Sequence, residues 1–110
     1  MKIEELVNKC GMQVVNKLYE PEREVSGGYT SDLLSDVIAN SKKDNVWITM
    51  QTHLNIVAVA DLKELAAIIL VMNKEIQKDA EAKAKAEKIT VLQTDLSAFQ
   101  ISGKINGLGI

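Results

Sequence analysis

Apolar positions along this chain follow two alternating periods, one helical and one extended. Ile3, Leu6, Val7 and Cys10 share one helical face, with Glu4 and Glu5 in the first turn and Gly11 placed as a stop. The short apolar run MQVVN (12–16) suits a strand. The segment KLYEPEREVSGG holds the only proline, Pro21, and reads as a loop with a short edge strand at 23–25. Leu33, Leu34, Val37 and Ile38 then form one face of a helix within 31–40. NVWITM (45–50) is β-branched and aromatic, hence a strand. From Thr52, THLNIVAVADLKEL carries both signatures: IVAV suits a strand, the alanines and DLKEL a helix. The connection needed before the next strand, AAIILV (66–71), selects helix.

Nine charges fill the fifteen residues 74–88, with Ile76, Ala80 and Ala84 at four-residue steps. That spacing predicts a solvated helix whose small inner face lies against a sheet, or a partner helix in a coiled coil. Asp79 with Lys83 and Glu81 with Lys85 are the expected i,i+4 pairs. ITVL (89–92) is the last strand, and DLSAFQISGKI (95–105) a closing helix before the tail NGLGI. Strand and helix alternate. The predicted fold class is α/β: a single layered domain over residues 1–110 with a mostly parallel sheet, at least three strands of it parallel, flanked by helices.

Composition narrows the functions. A chain of 110 residues supports one core and is small enough that a homodimer would help it bury apolar surface. With 46% hydrophobic and 25% charged residues it is an ordinary globular sequence. A net charge of −2 leaves no basic footprint, so no nucleic-acid partner is expected. No apolar run approaches the ~18 residues of a membrane span, so no membrane partner is expected either. Acidic residues stand near the start where a secretory signal would be basic, and the expected location is cytoplasmic. Cys10 and His53 are the only residues of their kinds, which predicts no metal site and no cofactor; Cys10 itself reads as a small buried hydrophobe.

An internal echo locates a candidate site. ITMQTHLN (48–55) and ITVLQTDLS (89–97) both run from a strand through Gln-Thr-x-Leu into a helix. Thr52 and Thr94 are placed to cap those helices, and Asn73 follows the third strand in the same way. In open α/β sheets ligands bind at the strand C-terminal ends. Thr52, His53, Asn73 and Thr94, with Tyr29 from the glycine turn, are therefore the candidate ligand-binding residues; the competing reading makes the threonines and Asn73 helix caps only. His53 is a ligand or partner contact, an acid–base group, or structural. Asp32 and Asp36, one helical turn apart, either share a magnesium ion or form a solvated face. GGYTSD lacks the lysine of a phosphate loop, so Gly27 and Gly28 are expected to make a tight turn out of an edge strand, with Thr30 or Ser31 as helix N-cap and Asp32 at the first helical position.

The assembled segments GGYTSDLLSDVIANS, VWITMQTHLNIVAVADL, AAIIL and ITVLQTDLSAFQISGKI resemble the DRTGG domain. They are similar, more closely, to the small stand-alone DRTGG proteins of anaerobic bacteria encoded beside iron-only hydrogenase and ferredoxin-type subunits. The resemblance spans residues 3–110. It implies an α/β fold like the N-terminal domain of HPr kinase/phosphorylase, without the separate phosphate-loop domain that carries the kinase activity. It implies a non-enzymatic regulatory or protein-interaction module, a homodimer, an adenine nucleotide or other small anion as ligand, and hydrogenase or ferredoxin-type partner proteins. The alternative function is a small enzyme or phosphotransfer protein working through His53. Two departures stand out. The pentapeptide Asp-Arg-Thr-Gly-Gly does not occur, and the Gly-Gly-then-proline pattern common in such relatives after the IIL strand is replaced by VMNKEI, which reduces a phosphate's backbone access near Asn73.

Overall fold

In the computed structural model, which describes residues 1–110, the elements run α1 (Ile3–Cys10), β1 (Gln13–Val14), β2 (Gly27–Thr30), α2 (Leu34–Asn40), β3 (Asn45–Thr49), α3 (Asn55–Leu62), β4 (Ala67–Leu70), α4 (Lys78–Glu87), β5 (Val91–Gln93) and α5 (Ala98–Asn106). The sheet order is β1-β5-β4-β3-β2, parallel throughout except for β1, which pairs antiparallel with β5. The predicted α/β class and mostly parallel sheet are found, with four parallel strands.

Each parallel strand from β2 to β5 is added beside the previous one in the same direction. Right-handed crossovers therefore place α2, α3 and α4 on one face of the sheet. The side chains agree. Val37 of α2, Ile56, Val57, Val59 and Ala60 of α3, and Ala80 and Ala84 of α4 pack on Trp47, Ile68, Leu70 and Val91. Ile3, Leu6 and Cys10 of α1 with Ile101 and Ile105 of α5 cover Val46, Ile48, Ala67, Ile69 and Leu92 on the other face. β3 and β4 are buried at every position, as central parallel strands are, which explains their unbroken apolar runs.

Several local expectations are corrected. The glycine stretch is a strand, not a turn: Gly27–Thr30 pairs with Asn45–Ile48 as the parallel edge, and neither Gly27 nor Gly28 has a positive φ. A Cβ at Gly27 would stand 3.3 Å from Asn45 Nδ2, a closer requirement than conformation. The expected edge strand at 23–25 shrinks to one bridge between Lys2 and Glu24. Carbonyls of the Pro21-containing loop serve α1 instead, where Ile3 N–H donates to Arg23 O (2.9 Å) and Glu4 N–H to Pro21 O (3.0 Å), satisfying donors that a helix start leaves open. NIVAVADL is a helix as predicted, but it begins at Asn55. α4 begins at Lys78, and its ion pair is Lys83 with Glu87 (3.6 Å), not the two pairs expected, because Asp79 turns its carboxylate to Ala80 N–H at the helix start. Ser97 and Gln100 form a reciprocal capping box at α5, a signal the sequence carried as Ser-x-x-Gln.

Candidate functional site

The four parallel strands end at Thr30, Thr49, Leu70 and Gln93, and the loops that follow make one edge of the molecule. Thr52, His53, Asn73 and Thr94 all lie in loops of this edge. Asn73 and Thr94 line one cavity of about 240 Å³ with Gly11, Gln13, Gln93 and Asp95. Thr52 and His53 occupy the β3–α3 loop and are not part of it. Tyr29 is one residue inside β2, in register with Trp47, and its hydroxyl donates to Asp36 Oδ1 at 2.8 Å. That bond holds Asp36 below its ordinary pKa and raises that of Tyr29. Tyr29 is thus committed to the α2 face.

Neither threonine of the echo caps a helix. The N-cap position of α3 is Leu54, without a side-chain acceptor, and that of α5 is Ser97. Thr94 Oγ1 accepts Leu96 N–H at 3.2 Å, closing a turn before the helix; Thr49, not Thr52, does the same for Gln51 N–H at 3.2 Å. The shared residue that performs one task twice is glutamine. Gln51 Nε2 donates to Asp32 O (3.1 Å) and Gln93 Nε2 to Lys74 O (3.0 Å), so each laces its loop to the loop beyond the neighbouring strand.

Asp32 and Asp36 do not share a site. Asp32 Oδ1 accepts from Thr49 Oγ1 (2.8 Å) and from Met50 N (2.7 Å), clasping the β2–α2 loop to the end of β3. It precedes α2 rather than opening it, and Ser31 Oγ accepts Leu33 N–H there. Asp36 is taken up by Tyr29 and by Asn40 Nδ2 (2.8 Å). No group of three or more His, Cys, Asp or Glu side chains is assembled to hold a metal ion, and no helix is long and apolar enough to cross a membrane.

The turn that replaces the glycines keeps a glycine's backbone. Met72 (φ 56) and Asn73 (φ 53) are both left-handed, and Lys74 N–H returns to Val71 O at 3.0 Å, the signature of a type I′ turn. Met72 N–H donates to Leu96 O and Asn73 N–H to Thr94 O, both at 2.9 Å. Chain direction changes here, since β4 leads into α4 on one face and β5 into α5 on the other, and these two bonds stitch the divergence shut. The turn amides of Met72 and Asn73 are therefore consumed internally and not free for a phosphate.

What the edge does expose is apolar. Leu33, Met50, Leu54, Met72 and Phe99 are exposed, Phe99 at 89% and Leu33 at 64%, and each follows the C-terminal end of a parallel strand. Every one of the four strands contributes to this row. The sequence signal was a large hydrophobe at each strand-to-helix junction, where turn chemistry favours small polar residues. Within α3, Ile56, Val57, Val59 and Ala60 are buried in the chain's own core, while Leu62 at its end is 67% exposed. His53 enters through its carbonyl, which accepts Ile56 N–H at 3.1 Å; no carboxylate or hydroxyl is hydrogen-bonded to its ring.

No family model matches this chain, and no curated protein sequence matches it. In fold it is similar to the crystal structure of the CBS and DRTGG domains of the regulatory region of Clostridium perfringens pyrophosphatase, complexed with the activator diadenosine tetraphosphate. The TM-score is 0.74 at 14% sequence identity, covering 94% of this chain and 45% of that one. This chain thus spans under half the length of that region. The fold is DRTGG-like.

Proposed function

We propose that this chain is a non-catalytic regulatory module that pairs with a second copy of itself through the strand-end edge and responds to a small anion of the adenine-nucleotide class. The observation that carries the reading is the apolar row Leu33, Met50, Leu54, Met72 and Phe99. A chain this small exposes so many large hydrophobes along one edge at a cost in solubility, and covering them by association removes it. Met72 sharpens the point: a left-handed position where glycine is the easier residue carries a side chain that is 54% exposed. In this reading Thr52, His53, Asn73 and Thr94 form the polar rim of the edge, and His53 is a contact. The neighbouring fold belongs to a regulatory region held with a nucleotide activator, which supports the ligand class. The reading through His53 as a catalytic group has no orienting partner to build on.

Light scattering at tens of micromolar protein tests the pairing. A dimer is expected, and Leu54→Glu with Met72→Glu should give a folded monomer. If the unaltered chain is a monomer, self-pairing is wrong, and the row is to be tested against the hydrogenase or ferredoxin-type partners that the sequence resemblance implies.

A further inference from the structure

At the opposite end of the sheet lies a cleft of about 340 Å³, lined by Lys17, Leu18, Tyr19, Glu20, Lys85, Lys88 and Ile89. We propose that this cleft is the anion site of the module and takes a nucleotide, with its phosphates on the three lysines and its base against the apolar floor of Leu18 and Ile89. The inference rests on the regulatory reading for the ligand class and adds the site, which the strand-end edge does not supply.

Charge is the first argument. In a chain of net charge −2, three lysines border one concavity with a single carboxylate among them. None of the three has an acidic group within ion-pair distance, and Glu20 is drawn toward Arg23 at 3.8 Å. Lys85 and Lys88 sit at the C-terminal end of α4, where part of their charge offsets the helix dipole. Lys17 arrives from a separate loop and has no such duty. Its ammonium is the surplus that a ligand can use.

Backbone is the second argument. Lys17 (φ 64) and Lys88 (φ 57) are both held left-handed, where glycine or asparagine is the easier residue. Lys17 is the second central residue of a turn closed by Leu18 N–H to Val15 O at 2.8 Å, with Asn16 (φ 45) as the first. Lys88 ends α4, its N–H bonded to Ala84 O and Lys85 O. The two left-handed positions thus fix both lysines beside the same cleft. Shape and chemistry complete the case. Leu18 and Ile89 are buried and form the floor, and the volume lies in the range of small-molecule sites, about 300–1,000 Å³. The cleft of about 400 Å³ between β1 and α4 is bordered by Glu75 and Glu81 and repels the same ligand.

Isothermal titration of the full chain with ADP, AMP, adenosine and inorganic phosphate, at low ionic strength, tests the site. Binding is expected to fall in the order ADP, AMP, then adenosine or phosphate alone, and to weaken as salt is raised. Lys17→Gly, Lys88→Gly and Lys85→Gln should each weaken ADP about tenfold, the loss of one charge-assisted contact. Glycine relaxes the left-handed backbone at 17 and 88, so thermal melts of those variants near the unaltered value separate lost binding from lost fold. ADP binding untouched by all three changes, or no heat and no thermal shift with any of the four probes, overturns the proposal. ADP binding that survives all three changes sinks the site and leaves the ligand class standing; the light-scattering test is run without ligand, so an intact dimer that ignores ADP sinks this inference and the ligand class but not the pairing, and a monomer that binds ADP sinks the self-pairing alone.

Discussion

Replacing Asp32 with alanine tests how the strand-end edge is held. Asp32 Oδ1 accepts two bonds, from Thr49 Oγ1 at 2.8 Å and Met50 N at 2.7 Å, and Gln51 reaches back to its carbonyl. Bonds to a charged acceptor contribute about 1.5–3 kcal/mol each in buried settings, and less here because Asp32 is exposed. Thr49, 1% exposed, still lies beside Gln51 N–H after the change, so its hydroxyl is not fully orphaned. A loss of about 2 kcal/mol is therefore expected for Asp32→Ala, and roughly half of it for Asp32→Asn, which keeps an acceptor and loses the charge. In a domain of this size 2 kcal/mol corresponds to roughly 8–16 °C in Tm. Urea and thermal denaturation followed by circular dichroism measure it, and a cycle with Thr49→Val isolates the hydroxyl contact. Magnesium should leave the melt of the unaltered chain in place, since no group of three or more metal-ligating side chains is assembled around Asp32. A change under about 2 °C for Asp32→Ala, which at this size is well under 1 kcal/mol, refutes the clasp. Stabilisation by magnesium that Asp32→Ala abolishes would restore the metal-ligand alternative. Because the clasp joins the loops carrying Leu33 and Met50, the variant should also associate more weakly.

Met72→Gly should separate folding from association: relief of about 1–2 kcal/mol of left-handed strain is offset by glycine's freedom in the unfolded chain, and the lost side chain is largely exposed, so Tm stays within a few degrees while the dimer in light scattering weakens. A dimer unchanged by Met72→Gly and Leu54→Glu together would remove the row from the interface. Tyr29→Phe should lose stability at neutral pH and converge with the unaltered chain in strong acid. Asp36 is held below its ordinary pKa by the tyrosine, so the stabilisation is complete above the unfolded carboxylate value and disappears as pH falls through the lowered folded one; parallel urea curves at neutral and acid pH show whether the difference closes. Cys10, 4% exposed and with its thiol pushed up by burial, should react with a thiol reagent only as the chain unfolds, and rapid labelling of the native protein would contradict its place in the core.

The alternation of periods determined the fold class, because a parallel sheet buries both faces of its central strands and leaves the unbroken runs VWIT and AIIL in the sequence. It determined α1 and α4 as well, through the spacing of Ile3, Leu6 and Cys10 and of Ala80 and Ala84, since one-sided burial writes a 3.6-residue period. Only tertiary structure decided the role of GGYT, because a glycine pair is read locally as a turn while its place as a strand follows from what β3 offers beside it. The same holds for the echo. Gln-Thr-x-Leu was legible, but whether the threonine caps or the glutamine laces depends on a neighbouring loop far off in sequence, at Asp32 and Lys74. That Thr52, His53, Asn73 and Thr94 lie in loops after strand ends was legible from the order of strands and helices, whereas the exposed row of hydrophobes and the closed amides of Met72 and Asn73 arise where β4 and β5 send their helices to opposite faces. Local pattern records which side of an element is buried; which loops meet is a property of crossover geometry, and no single stretch of the chain contains it.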